Sequence, residues 1–307
     1  MTESIQLIAG TRASQMALFQ TNKVIENLKG HHQELSIKQK HISTKGDIDQ
    51  TPIPLDTIGK AWFTKEIEQE LIDRHIDFAV HSLKDIPPEL PPGLIIMPIL
   101  KRDDPRDGLI ATTSVTLKTL PKGAIIGTDS LRRKALLLRE RPDLIVKSIR
   151  GNANTRLQKL ESGTYDALVM AVAGLERIDR SEMITEYLDP TTFVTSIGQG
   201  TLAVELRSER QDLIELFKEL QDTHTLLATA AEQEFANVIG GGCKLPVACY
   251  VRIDDDTAHI HGMVGNMDAR QSVIKSLHGA ATNAVGLAQQ LACDLAREPF
   301  VAEYVKT

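Results

Sequence analysis

A chain of 307 residues with 42% hydrophobic and 25% charged residues has enough apolar material for two or three globular domains. Its formal net charge of −6 argues against a nucleic-acid or anionic-membrane partner, so any local cluster of arginines needs its own reason. No stretch approaches the roughly 18 uninterrupted apolar residues of a membrane span, and Met1-Thr-Glu-Ser-Ile-Gln6 shows no basic region followed by an apolar run; a cytoplasmic protein without membrane association is expected.

The first predicted strand, 5–9, ends at the turn Gly10-Thr-Arg-Ala-Ser14, and a helix follows with Ala17, Thr21, Val24 and Leu28 on one face. Residues 44–59, rich in Pro, Gly, Asp and Thr, read as a long loop of the kind that serves as a lid. A helix near 65–74 feeds the strand 76–80. Lys101-Arg-Asp-Asp-Pro-Arg-Asp107 then reads as a crossover between lobes. The pattern recurs: a strand at 124–128, a helix from Ser130 to about Arg139, a helix at 155–161 and a strand at 166–170, whose apolar run follows an aspartate as in the earlier strand. This alternation predicts parallel sheets with ligands at the carboxyl ends of the strands. From about Asp222 the chain changes to a helix, Gly240-Gly-Gly-Cys243, alternating strands and a closing helix at 282–297, a small α+β arrangement.

Arginines mark the predicted turns. Arg12 precedes the first helix, Arg132 and Arg133 lie in the first turn after Ser130, Arg150 precedes Gly151-Asn152, Arg156 opens the next helix and Arg177 follows Ala173-Gly174. A cation at a helix N-terminus costs about 0.3–1 kcal/mol unless an anion offsets it. Pairing with a surface Asp or Glu is the common fate of one arginine, but so many at comparable turns favour an anionic ligand. No GxxxxGK[ST] loop is present, and several carboxylates suit separate guanidinium groups better than one phosphate.

Val80-His-Ser-Leu-Lys-Asp-Ile-Pro87 ends an apolar strand. The proline following Ile86 predicts extended chain here, so Lys84 and Asp85 would point to opposite sides, one for an anion and one for proton transfer. Taken alone, Asp85 reads as a turn residue, and a triad of His81, Ser82 and Asp85 has little support from proximity in sequence. The three cysteines lack any CxxC spacing, which argues against a disulfide framework or a zinc site, and no metal is expected. Cys249 and Cys293 read as buried structural thiols. Cys243, flanked by three glycines and Lys244, reads as a thiol open to a bulky group. His259 and His261 alternate on a strand without a third ligand, and His31-His32 has no predicted role.

These segments together resemble the porphobilinogen deaminase family. The match runs in order through Thr11-Arg-Ala-Ser14 with Gln20, Val80 to Pro87, Asp104-Pro-Arg-Asp107, Gly127-Thr-Asp-Ser-Leu-Arg-Arg133, Arg150-Gly-Asn152 with Thr155-Arg156, Ala173-Gly-Leu-Glu-Arg177, Gly198-Gln-Gly200 and Gly241-Gly-Cys243. The resemblance implies an α/β protein of two doubly wound lobes resembling those of periplasmic binding proteins, residues 1–100 with 198–218 and residues 101–197. A small α+β domain, 219–307, would carry the cofactor cysteine. It implies a transferase of porphyrin and haem biosynthesis that condenses four porphobilinogens with loss of ammonia into hydroxymethylbilane. A dipyrromethane cofactor would sit on Cys243 through a thioether, and the enzyme would be a monomer.

By the same resemblance Asp85 is the catalytic acid, giving a proton to the leaving amine and stabilising the cation that remains. Lys84, Asp85, Ser130, Arg132, Arg133 and Gln199 would bind the cofactor. Arg12, Ser14, Gln20, Arg150, Arg156 and Arg177 would bind the substrate, whose acetate and propionate groups need basic partners. The chain departs from the family pattern at Ala61, Trp62, Gln233 and Asp129, the last putting an acid near these arginines or capping the helix. Two other classes fit less well. A solute-binding protein needs neither Asp85 nor Cys243, and a cysteine acyl transferase needs a histidine partner that the sequence does not specify.

Overall fold

The structure, a computed structural model, describes residues 6–48, 64–87, 89–240 and 246–301. Contacts divide the chain into two compact units. The first draws on the chain up to Arg102 and again on 201–226, the second on 103–200 and the chain from 227 onward.

The first unit begins with β1 (Gln6–Thr11) and α1 (Gln15–His31). Ser14 starts this helix because its extended backbone (φ −69°, ψ 144°) lets the side chain accept from the Ala17 N–H. Gln20, Thr21, Val24, Ile25 and Leu28 form the buried face. Strand β2 (Ser36–His41), helices α2 (Lys45–Ile48) and α3 (Lys65–Ile72), and strands β3 (Phe78–Ser82) and β4 (Leu94–Ile99) follow. The second unit contains β5 (Asp107–Ala111), β6 (Ile125–Gly127), α4 (Leu131–Glu140), β7 (Ile145–Lys147), α5 (Ala153–Glu161), β8 (Ala167–Ala171), α6 (Val172–Glu176) and β9 (Ile184–Tyr187). The chain then returns to the first unit as β10 (Leu202–Arg207) and α7 (Gln211–Lys218). Helix α8 (Thr223–Ile239), the antiparallel strands β11 (Val247–Asp254), β12 (Thr257–Gly265) and β13 (Ser272–Ala280), and α9 (Ala284–Ala296) complete it.

The α/β class expected from the alternation holds, but the sheets are mixed rather than parallel. In the first, ordered β2-β1-β3-β10-β4, β1 is parallel to β2 and β3 while β10 is antiparallel to both its neighbours. In the second, ordered β7-β6-β8-β5-β9, β5 is antiparallel to both of its own. The cause is the crossover. Leu202 enters opposite Ser82, the last residue of β3, and Asp107 opposite Ala171, the last residue of β8, so each incoming strand must run backwards.

The repeat seen in the sequence has a structural counterpart. Asp77 donates its N–H to Ile8 O and accepts the Ile8 N–H on its carboxylate, both at 2.8 Å. Asp166 makes the same reciprocal pair with Ile125, at 2.9 and 2.6 Å. The aspartates ahead of β3 and β8 thereby fix the register of β1 and β6.

In the first unit Phe78 meets Phe217 edge to face at 5.0 Å, among Leu7, Val24, Leu28 and Val204. In the second, Leu109, Ile126, Leu136 and Val169 pack with Tyr250 and Met263. Phe235 of α8, Cys249 and Ile260 of the antiparallel sheet, and Leu291 and Leu295 of α9 form a further core. Among the described residues no helix is long and apolar enough to cross a membrane.

Candidate functional site

In the first unit, the carboxyl ends of β1 and β3 bring polar side chains to one cavity of about 60 Å³. Its walls are Arg12 and Ser14 from the β1–α1 connection, Gln20 of α1, Thr64 before α3, and His81, Ser82 and Asp85 at the end of β3, with Met16, Ala17, Ile67 and Val80. Gln20 Nε2 donates to Ser82 Oγ at 2.8 Å and ties α1 to the end of β3. Leu83–Asp85 is a single 3₁₀ turn, anchored by the Leu83 N–H on Thr201 O at 2.9 Å. The extended chain expected at Asp85 is therefore displaced to Ile86 (φ −78°, ψ 132°), because proline restricts only the residue directly before it. Asp85 is exposed at the cavity, while Lys84 is half-buried and not part of its wall.

A buried layer of polar groups lies against this cavity. His81 Nε2 is 2.9 Å from Glu205 Oε2, and Thr64 Oγ1 donates to Glu68 Oε1 at 2.5 Å. Glu205 is fully buried, and its Oε1 has no hydrogen-bond partner among the described residues. Burial pushes the Glu68 carboxyl up against the hydrogen bond from Thr64, and the nearby Glu205 pushes the same way. His81 thus pairs with Glu205 rather than forming a triad with Ser82 and Asp85.

In the second unit, Ser130 caps α4 by accepting the Arg133 N–H at 3.3 Å, so Asp129 is not the cap. The first turn of α4 points Arg132 and Arg133 inward onto Asp107, the first residue of β5. Arg132 Nη1 lies 2.7 Å from Asp107 Oδ2, and Arg133 Nη2 2.8 Å from Oδ1. The main-chain oxygens of Val194 and Val169 accept from the same two guanidinium groups, and Gln199 Nε2 reaches Asp107 at 3.0 Å. Burial favours the neutral acid, but the two cations outweigh it and hold the Asp107 carboxyl well below the usual carboxylate range. Two buried positive charges against one negative leave one cation uncompensated at a helix N-terminus, and Arg132 Nε and Nη2 have no partner among the described residues. This donor set fits a group that carries carboxylates.

The remaining predicted arginines lie in the same unit. Arg150 Nε is 3.0 Å from Asp129 Oδ2. Arg156 Nε donates to Gly151 O at 2.9 Å. Arg177 is not at a helix start: it caps the carboxyl end of α6, where a cation suits the dipole, and donates through Nη2 to Asp103 at 2.8 Å and Gly200 O at 3.0 Å. Carboxylate pairing, set aside for the arginines as a group, is therefore the observed state of Arg132, Arg133, Arg150 and Arg177.

The structure thus gathers Arg12, Ser14, Gln20 and Asp85 at one cavity in the first unit, which also holds Lys84. It places Ser130, Arg132, Arg133, Arg150, Arg156, Arg177 and Gln199 in the second. Cys243 with Gly241 and Gly242, and the lid from residue 49, lie outside the described residues. Sequence reasoning missed Asp107, Glu68 and Glu205. An acid at the head of the wholly apolar run Gly108-Leu-Ile-Ala111 was the available signal for Asp107. Cys293 is exposed on α9, unlike buried Cys249, because its helix position faces away from the sheet. His32, given no role, bonds Glu219 at 2.8 Å and Glu34 at 3.3 Å.

Residues 7–215 match the family profile described as porphobilinogen deaminase, dipyromethane cofactor binding domain, and residues 226–297 the one described as porphobilinogen deaminase, C-terminal domain. Among curated relatives, the porphobilinogen deaminase of Brevibacillus brevis is 43% identical over 281 residues, covering 91% of this chain and 90% of its own. That of Oceanobacillus iheyensis is 42% identical over 283 residues, with 92% and 91% covered. That of Bacillus cereus strain G9842 is 44% identical over 284 residues, with 92% of each covered. Among solved structures, a putative methionine-binding lipoprotein from Bacillus subtilis aligns with a TM-score of 0.44 at 14% identity, over 72% of this chain and 92% of that one.

Proposed function

The chain belongs to the porphobilinogen deaminase family, and on that premise we propose which of its residues perform the chemistry. The reaction is the head-to-tail condensation of four porphobilinogens into hydroxymethylbilane with loss of ammonia, a step of tetrapyrrole synthesis that uses a dipyrromethane cofactor. When bound, the cofactor supplies the pyrrole end to which the first substrate is joined. Cys243 is the residue that carries it, through a thioether that water does not readily hydrolyse. Arg132 and Arg133, with Ser130, Gln199 and Lys84, hold its carboxylates.

Asp85 is the acid. Its carboxyl gives a proton to the departing amine, and its carboxylate then stabilises the cationic pyrrole that remains. Arg12, Ser14 and Gln20, with Arg150, Arg156 and Arg177, hold the acetate and propionate groups. The observation that carries this reading is the first-unit cavity, in which an acid and a guanidinium from different connections share one wall. We further read the protein as a cytoplasmic monomer organised in three parts, the last being 219–307.

Incubation with porphobilinogen should release ammonia together with pyrrole condensation. Asp85→Asn should keep the fold and the added mass of the cofactor yet lower turnover at least about 10²-fold, the scale of a lost general acid. Near-normal turnover would remove Asp85 from this role. Intact mass should exceed the sequence mass in the wild type and not in Cys243→Ser.

A further inference from the structure

We propose that Asp129 is a specificity-determining residue whose carboxylate competes with a substrate carboxylate for the guanidinium of Arg150. The inference rests on the reading of Arg150 as a substrate-binding arm. Asp129 faces Arg150 Nε through Oδ2 at 3.0 Å, and its other oxygen accepts a short hydrogen bond from Ser148 Oγ. Ser148 is in turn fixed by Tyr165, whose hydroxyl donates to Ser148 O at 2.5 Å.

Local architecture does not require this ion pair. Ser130 caps α4, and Asn152 caps α5 by accepting the Thr155 N–H at 2.9 Å. The loop between β7 and α5 is held by Lys159 Nζ on Arg150 O and by Arg156 Nε on Gly151 O, each at 2.9 Å. The side chains of Arg150 and Asp129 are 33% and 28% exposed, so a solute can reach the guanidinium. A pair this open is weak, and a second carboxylate replaces it at a cost of about two- to five-fold in affinity. A neutral group offers no charge to exchange for that of Asp129. The pair therefore selects for a carboxylate at this position and weakens the binding of the ligand that brings one.

The test uses the full-length, cofactor-bearing enzyme with porphobilinogen. Asp129→Asn is expected to lower KM about two- to five-fold while kcat changes less than KM does. Arg150→Gln is expected to raise KM, and adding Asp129→Asn to it should then leave KM where it is. Asp129→Ser is measured beside Asp129→Asn, so that one folded variant, checked by its melting temperature, decides the outcome. An unchanged or higher KM in the folded Asp129 variants overturns the proposal, as does a fall in KM that persists without Arg150. If Arg150→Gln alone leaves KM at the wild-type value, the assignment of Arg150 as a substrate arm fails, and the role of Asp129 fails with it.

Discussion

Asp107 is the residue on which the buried charge of the second unit depends. Replacing it by asparagine leaves Arg132 and Arg133 facing each other at the start of α4 without a counter-ion. Asp107→Asn is expected to cost about 3–5 kcal/mol, the scale of breaking a buried ion pair from one side, and calorimetry should show it as a large fall in Tm. Because the folded carboxyl titrates below its unfolded value of about 3.9, its contribution is present above that value and lost only as pH falls through the lower folded one. The start of α4 beside Ser130 was legible in the sequence because helix starts are local, although Asp129 was the residue offered as its cap. The partner of Arg132 and Arg133 was not, since Asp107 reaches them only through the position of β5 in the sheet.

At the level of elements, α3 carries an acid on its buried face. The Glu68 carboxyl titrates above the ordinary range, chiefly through burial, so the neutral form is favoured in the folded protein. Its contribution to stability is full below the unfolded value of about 4.3 and lost as pH rises through the folded one. Glu68→Gln is therefore expected to raise Tm by about 2–4 °C at pH 8 and by little at pH 4. Equal shifts at both values would show that ionisation of Glu68 is not penalised. The elements themselves were largely readable: β1, α1, β3, α4 and β8 fall close to the positions that periodicity and turn residues predict. The direction of β5 and β10 was not, because antiparallel entry follows from a crossover that no local pattern encodes. The 3₁₀ turn that ends at Asp85 was misread for a similar reason, its anchor being Thr201, far along the chain.

Across the whole molecule, the segment leaving β4 and the one leading into β10 run side by side, with the Asp103 N–H on Gly200 O at 3.2 Å. Gly200 has φ +88°, and a Cβ there would lie 2.6 Å from Asp103 O. Gly200→Ala must adopt a left-handed conformation and push backbone aside, and a fall in Tm of about 4–8 °C is expected. An unaltered melting curve would show that the paired segments tolerate a side chain. The same crossover has a consequence for biosynthesis. All strands of the second sheet lie between residues 107 and 187, whereas the first sheet lacks its fourth strand until residues 202–207 have been made. At about 5–20 residues per second, the gap between Arg102 and Leu202 takes roughly 5–20 s to translate, and until it closes β3 and β4 have no partner between them. Strand β4, made before every strand of the second sheet, is paired only after all of them have been made.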